Sequence, residues 1–390
     1  MTQIGGPFLT DPALTAVLDA IEAGGHRALL VGGVVRNAVL GEPVNDIDLA
    51  TDARPERVSE LAASAGLKPV PTGIDHGTVT VVSNGTGIEV TTFRRDVETD
   101  GRHAVVAFSD RIEDDAQRRD FTMNALYATR DGQVLDPVGG LDDLRARRLR
   151  FVGNAQARIR EDYLRVLRYF RFHAWYGRQV DPAALAACAA LADGLDGISK
   201  ERIGVEMRKL LAAPDPSEAL SLMAQAGVLA HVLPGADASA MPDLVGAEAA
   251  AGITPSWPRR LALLCTDKTV TALLRLSRDE AKVQARLAEA KAGDWSLNEA
   301  GYHLGKTLAV DHTLTRAARG QKLPDGWIAR IEHAAQAGLP ISADDLMPQL
   351  EGASLGRGLR AAEEAWIAGD FALPAPALID VALLAGKGDA

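Results

Sequence analysis

A change of texture near residue 140 restricts the fold more than any other feature of this chain. Before it, strand-like and helix-like pieces alternate. Residues 13–23 carry apolar positions at helical spacing. Ala28–Val31 reads as a short apolar strand ending in Gly32-Gly33, and Val34–Leu40 as a helix stopped by Gly41. Ile47–Ala50 is a second strand, and Arg54–Ala65 a helix with Pro55 in its first turn. Val79–Ser83 and Ile88–Phe93 flank Asn84-Gly85, the dipeptide of a hairpin turn. Residues 95–110 are polar and read as a mobile loop, and Asp131-Gly132 marks a turn before Val134-Leu135. After 141 the β-branched runs stop, alanine and leucine rise, and helical periodicity takes over. Pro-Asp-Pro at 214–216, Leu233-Pro234-Gly235 and Pro255–Pro258 punctuate it. The expected fold class is therefore α+β: a small mixed-sheet head over 1–140, a helical segment over 141–213 and a helical remainder over 214–390.

Composition removes other classes. The chain has 390 residues, 47% hydrophobic and 24% charged, which is ordinary globular usage and excludes fibrous or disordered readings. No apolar run is long enough to cross a bilayer, so no membrane association is expected. The N-terminus lacks the basic and apolar regions of a secretory signal, and Cys188 and Cys265 form no CxxC, so a cytoplasmic location is expected. Net charge is −10, but it is unevenly spread. Residues 94–178 hold 17 Arg, no Lys and 14 acidic residues. Within 145–178, ten Arg face only Glu161 and Asp162, a net +8. An acidic protein with one Arg-only stripe suggests a local polyanion site; a salt-bridged helix face is the plainer alternative.

Two motifs in the head carry chemistry. Leu30-Val31-Gly32-Gly33-Val34-Val35-Arg36 runs from strand to helix through two glycines. Such a turn lets a phosphate approach free backbone N–H groups at a helix N-terminus, with Arg36 as a charged clamp. Gly33 and Arg36 are thus candidate nucleotide-binding residues; a simple tight turn is the alternative. Asn45-Asp46-Ile47-Asp48 follows. At i and i+2 on a strand, Asp46 and Asp48 leave the same face. Two close carboxylates repel unless a cation is shared, and carboxylates plus substrate phosphates are the usual ligands of Mg²⁺. Glu89, on Ile88–Phe93, is a candidate third carboxylate.

Three further clusters follow. In Arg118-Arg119-Asp120-Phe121-Thr122-Met123-Asn124-Ala125, arginine suits phosphate and aspartate suits a ribose hydroxyl; alternatively Asp120 caps a helix. Asp136-Pro137-Val138-Gly139-Gly140-Leu141-Asp142-Asp143 separates the two textures, as hinge or plain linker. In Glu161-Asp162-Tyr163-Leu164-Arg165-Val166-Leu167-Arg168-Tyr169-Phe170-Arg171, three-residue steps place Asp162, Arg165, Arg168 and Arg171 along one helix face. An acceptor beside a donor matches cytosine (N4–H beside N3) and adenine (N6–H beside N1). Uracil and guanine present the opposite order and leave buried groups unmatched, at about 1–3 kcal/mol each. An i,i+3 salt bridge is the structural alternative. Seven of the 18 aromatics fall in 151–176, and at helical spacing they read chiefly as core.

Taken in order, LVGGVVRNAVLG, NDIDLAT, RRDFTMNAL, DPVGGLDDL and EDYLRVLRYFR are similar to the motifs of class II tRNA nucleotidyltransferases, the CCA-adding enzymes, which share a superfamily with bacterial poly(A) polymerases. The resemblance covers roughly residues 25–180. It implies a head like that of DNA polymerase β, followed by a helical neck, body and tail. It implies addition of CCA to the tRNA 3′ acceptor end from CTP and ATP, with two Mg²⁺ ions on Asp46 and Asp48. Gly33 and Arg36 would touch the triphosphate, and Arg119 and Asp120 the nucleotide's phosphate and sugar. Asp162 and Arg165 would read the base, supported by Arg168 and Arg171, and residues 95–110 would help the switch from C to A. Asn37 departs from the family, which usually has Asp there. No HD-type phosphohydrolase motif occurs in the C-terminal half, and no protein partner is expected. The other readings are poly(A) or partial CCA addition, and a non-catalytic RNA-binding protein. The Arg-rich segment of bacterial poly(A) polymerases is missing after the second catalytic strand, and the intact Asp46/Asp48 pair favours catalysis.

Overall fold

Local signals set the first elements. Helix α1 (Pro12–Ala23) starts where Asp11 accepts a hydrogen bond from the Ala13 amide at 2.7 Å. Strand β1 (Ala28–Val31) is buried at all four positions, and α2 (Gly33–Leu40) ends at Gly41 in the left-handed region, φ 71°. Then come β2 (Asp48–Thr51), α3 (Pro55–Ser64), β3 (Lys68–Gly73), β4 (Thr78–Ser83) and β5 (Thr86–Thr92). They are followed by β6 (Arg94–Asp100), β7 (His103–Phe108), α4 (Ile112–Gln117), β8 (Tyr127–Ala128) and β9 (Val134–Leu135). The computed structural model describes residues 2–100, 103–265 and 269–388, with backbone alone at 75, 96–100 and 103–106.

Seven strands form one mixed sheet in the order β3-β4-β5-β2-β1-β8-β9. β2 and β5 run parallel and the other neighbours antiparallel. Leu29, Val31, Ala50, Phe93 and Tyr127 pack in one core cluster. β3, with Pro69 and Pro71, sits at the sheet edge, where a missing N–H is tolerated. Where residues 95–110 are expected as a mobile loop, β6 (Arg94–Asp100) and β7 (His103–Phe108) instead pair as a two-stranded ribbon. Residues 101 and 102 lie outside the described residues, and so does that part of the expected mobile loop. The apolar run after Asp120 is not a helix: 122–124 make one 3₁₀ turn before β8.

Helices follow: α5 (Gly140–Arg145), α6 (Ala155–Glu161), α7 (Leu164–Tyr176), α8 (Pro182–Ala190), α9 (Lys200–Leu211), α10 (Ser217–Gln225) and α11 (Val228–Val232). Gly140 allows a close approach, since a Cβ there would lie 2.0 Å from the Thr122 carbonyl oxygen. Contacts divide the chain into two units, Met1–Leu210 with Glu218–Pro234, and Leu211–Ser217 with Gly235–Ala390. The texture change at 140 lies inside the first unit, and the Pro-Asp-Pro and Leu233-Pro234-Gly235 breaks fall where the chain passes between units.

The second unit includes α12 (Met241–Ala250), α13 (Trp257–Leu264), α14 (Val270–Leu273), α15 (Arg278–Ala292), α16 (Leu297–Ala317), α17 (Trp327–Gln336), α18 (Gly352–Ala368) and α19 (Ala375–Lys387). Its α12, α13 and α16 meet through buried charge. Glu248 takes Arg259 and Arg260 at 2.7 Å each, and Asp311 takes Arg259 at 2.8 Å. Around α18 and α19, Leu346, Leu350, Trp366, Leu378 and Ala382 form a separate apolar cluster.

Candidate active site

One end of the sheet gathers the head's chemistry. β1 and β2 are antiparallel with Leu30 opposite Leu49, so the chain reaches the Gly32 turn where β2 begins at Asp48. Asp48 is in register with Glu89 on β5. Gly32 has φ 70° and donates its N–H to the Leu126 carbonyl at 3.0 Å, so β8 begins at the same edge. Asp46, Asp48, Glu89, Asn45 and Thr86 line an open cleft of about 470 Å³. The expectation that Asp46 and Asp48 share a strand is corrected: β2 starts at Asp48, and Asp46 lies in the segment before it.

Burial raises the Asp48 pKa, and the charges of Glu89 and Asp46 push it the same way, against Arg119. That excess negative charge is what a divalent cation removes, and three carboxylates around one cleft are hard oxygen donors suited to Mg²⁺. Among the described residues no three His, Cys, Asp or Glu side chains are drawn together as a complete ligand group. The donor chemistry therefore fits an ion held partly by substrate phosphates.

Next to the glycine turn, the arginines form a continuous network. A Cβ built on Gly32 would lie 3.4 Å from Nη1 of Arg119. Asp115 accepts from Arg119 Nη2 at 2.9 Å and from the Tyr127 hydroxyl at 2.6 Å. Burial alone would raise the Asp115 pKa, but Arg119 and Arg118 outweigh it and bring it down to about 2. Arg36 donates to Asn124 Oδ1 at 2.6 Å and to the Tyr176 hydroxyl at 2.9 Å, with its guanidinium 4.2 Å from the Tyr176 ring centroid. Asn124 donates to Asp120 at 3.0 Å, and Asp120 accepts from Arg168 Nε at 2.9 Å. Burial works against the Asp120 charge, but Arg168 and Asn124 hold its pKa well below the usual carboxylate range. Arg171 continues the chain to Glu206 at 2.5 Å. Through Arg36, α2 is thereby linked side chain to side chain with the 118–124 segment and α7.

Asp162 is not on the arginine face. It follows α6 in an extended conformation, φ −157° and ψ 105°, and α7 begins only at Leu164. Asp162 and Arg165 do not form the i,i+3 salt bridge. Asp162 accepts from Arg202 Nη2 of α9 at 2.6 Å, and Arg165 pairs with Glu161 and donates to the Arg158 carbonyl at 2.6 Å.

The Arg stripe is largely neutralised by acids distant in sequence. Asp143, 1% exposed, takes both Arg148 and Arg150, while Asp120 and Glu206 take Arg168 and Arg171. The +8 of 145–178 is thus in good part an internal network, because a local count omits partners from 120, 143 and 206. The core reading of the aromatics holds for Phe151, Tyr169, Phe170 and Phe172, all buried, whereas Trp175 is exposed. Asn37 accepts from Arg36 at 3.0 Å and donates to the Pro43 carbonyl at 2.8 Å, a donor that Asp would lack. Sequence reasoning missed Asp115, Tyr127, Asn124, Arg202 and Glu206 as parts of this site. Only Asp115 had a local signal, its i,i+4 spacing to Arg119.

Residues 28–150 match the family model of the poly A polymerase head domain, and residues 177–239 match that of the probable RNA and SrmB-binding site of polymerase A. The chain is 34% identical to the CCA-adding enzyme of Lacticaseibacillus paracasei over 94% of each chain. It is 43% identical to the mouse mitochondrial CCA tRNA nucleotidyltransferase 1 over 53% of this chain and 49% of that one. The match spans about half the length of that relative, as it does for the human enzyme. Among solved structures it is similar to the Bacillus stearothermophilus CCA-adding enzyme in complex with CTP, TM-score 0.73, 29% identical, covering 94% of each chain. The Thermotoga maritima CCA-adding enzyme complexed with tRNA shares the fold, TM-score 0.70, at 19% identity over 98% of this chain and 99% of that one.

Proposed function

The chain belongs to the CCA-adding enzyme family of tRNA nucleotidyltransferases, and on that premise we propose that it adds CCA to the tRNA 3′ end from CTP and ATP without a nucleic-acid template. The primer 3′-hydroxyl oxygen attacks the nucleotide α-phosphorus, the bond to pyrophosphate breaks, and the hydroxyl proton is lost. The observation that carries this reading is the shared sheet end: Asp48 beside Glu89, the Gly32 turn, and Arg119 close enough to act on the Asp48 charge.

Nucleotidyltransferases of this kind generally use a divalent metal; Asp46 and Asp48 would hold it, with two Mg²⁺ ions the finer expectation, and it would supply activation of the hydroxyl and charge neutralisation at the leaving pyrophosphate. Gly33 and Arg36 touch the triphosphate, where the α2 N-terminus favours an anion. Arg119 meets phosphate. Asp120, braced by Arg168, offers remaining lone-pair capacity to the sugar. Asp162 accepts from the exocyclic amine of C or A, and Arg165 donates to the neighbouring ring nitrogen. Arg168 and Arg171 support that pair from α7.

In this reading 1–140 is the catalytic head, 141–213 the neck with the base-reading residues, and 214–390 a body and tail that bind tRNA. The ribbon of β6 and β7 assists the change from C to A. The protein acts in the cytoplasm. Among the described residues, no helix is long and apolar enough to cross a membrane.

The test is incubation with tRNA lacking CCA and each labelled nucleotide, followed by sequencing of the 3′ ends. CCA on every extended end supports the proposal. Repeated A indicates poly(A) addition, C-C or A alone a partial enzyme, and no extension a non-catalytic RNA-binding protein.

A further inference from the structure

Trp175 is left in water where a side chain of its size is usually covered. Among the described residues five large apolar side chains are exposed, and two of them, Trp175 at 40% and Val205 at 41%, belong to α7 and α9 of the first unit. Trp175 stands at i+7 from Arg168 and i+4 from Arg171, so it ends the same helix face. Arg171 meets α9 at Glu206, and Trp175 meets it one turn later, where its Nε1 donates to the Lys209 carbonyl at 2.8 Å. The next residue, Tyr176, accepts from Arg36 at 2.9 Å. Trp175 therefore extends by one turn the row of side chains proposed to hold the nucleotide.

The indole hydrogen bond has two effects. It satisfies one of the last carbonyls of α9, which no amide of that helix reaches. It also fixes the ring, because Trp has only two side-chain torsions and a single donor. The exposed part of the indole is thus a rigid flat surface, and stacking on it costs little side-chain entropy. Lys209 and Arg178, both exposed, bring positive charge to its surroundings. Capping α9 needs only a donor and does not call for an aromatic face left in water.

We infer that Trp175 is a stacking platform for an unpaired base of the tRNA 3′ end. This rests on the reading of the chain as a CCA-adding enzyme that holds its nucleotide along α7. Two properties of that reaction match an aromatic surface. Without a template strand the last bases of the primer have no pairing partner, so the protein must hold them. The terminal base also changes as addition proceeds, from the nucleotide before CCA to C. A hydrogen-bond reader would reject some of these primers, whereas every base has a π-face. Trp175 lies ten residues beyond Arg165 on α7, about 15 Å along the helix. That offset assigns the platform to the primer strand and not to the incoming base.

The experiment measures kcat and KM for A addition to tRNA ending in C-C, using the full chain and its Trp175→Phe and Trp175→Gln variants. Phe keeps a ring and loses the donor to Lys209; Gln keeps a donor and loses the ring. Trp175→Gln should raise KM for tRNA about tenfold, near 1.4 kcal/mol, with KM for ATP and kcat at saturating tRNA within about twofold of the parent. Trp175→Phe should stay within about threefold of the parent throughout. The assay is repeated on tRNA carrying one abasic nucleotide at each of its last three positions. One position should raise the parent's KM by a similar factor and leave Trp175→Gln unaffected, because base and platform are then lost together. Phe impaired with Gln near the parent, or both variants alike, overturns the platform and leaves Trp175 as a cap of α9. So does a parent indifferent to all three abasic positions. If Trp175→Gln does not fold, Trp175→Leu replaces it and is judged in the same way. A parent that adds no A to this tRNA overturns the CCA-adding reading itself, and the platform with it.

Discussion

Asp48 carries a charge that its surroundings resist, since burial, Glu89 and Asp46 all favour its protonated form. A carboxylate kept in such a place is a candidate ligand for a cation. Asp48→Ala should lower incorporation of both C and A by more than about 100-fold, because both additions use the same site. tRNA affinity should stay nearly unchanged, since phosphate contacts elsewhere set it. Labelled CTP and ATP assays beside a filter-binding titration check this; ordinary turnover by the variant would remove Asp48 from the catalytic centre. Asp115 supports a second prediction, on acid stability. Its folded pKa is depressed from 3.8 to about 2, so between those values the unfolded chain binds more protons and stability rises with pH. Its contribution, about 2 kcal/mol, is complete above about pH 4 and lost as the pH falls toward 2. Asp115→Asn should flatten the fall of the urea midpoint across that window; a slope equal to the parent's would show that Asp115 has no part in it.

Elements repeat the same logic on a larger scale. α12, α13 and α16 are joined by Glu248, Arg259, Arg260 and Asp311, each no more than 4% exposed. Removing one partner strands the rest without water, so Glu248→Gln should destabilise the second unit by about 3–5 kcal/mol. Urea unfolding followed by circular dichroism measures it, and a loss under about 1 kcal/mol would mean the charges relax to other partners. Which elements could be read in the sequence depended on how local their causes were. β1 and α2 were legible because Gly32 and Gly41 both need positive φ and mark the boundaries themselves. The β4–β5 hairpin was legible because Asn84-Gly85 takes φ 49° and 79°. β3 was hidden by Pro69 and Pro71, which signal a strand only once an edge position is known. In the β6–β7 ribbon, the polar sequence of β6 hid its strand, and the short apolar run Ala104–Phe108 of β7 has no period-2 alternation to mark it as half-buried. At the site, Asp46, Asp48, Arg36 and Arg119 announced themselves by residue type. Arg202 and Glu206 did not, because their meaning lies in partners 35 and 40 residues away.

Across the whole molecule, the placement of arginine changes what its abundance means. Arg168 and Arg171 belong to Asp120 and Glu206 and are not free to release counterions from RNA. Replacing either with Gln should leave the slope of log affinity for tRNA against log salt unchanged, whatever it does to turnover. A fall in slope of about 0.7–0.9 per replaced residue would show that they contact phosphate after all. The passage of the chain between its two units has a consequence for synthesis. The first unit takes in Glu218–Pro234 after the chain has already contributed Leu211–Ser217 to the second. A nascent chain that has released only its first 210 residues therefore lacks α10 and α11, including Glu218, which meets the buried His173. Domains tend to fold in the order they emerge, but here the first unit cannot close until residue 234 has left the ribosome. A stalled or truncated product ending near 213 would expose the apolar surface that those helices cover, and would be open to proteases in a way the finished chain is not.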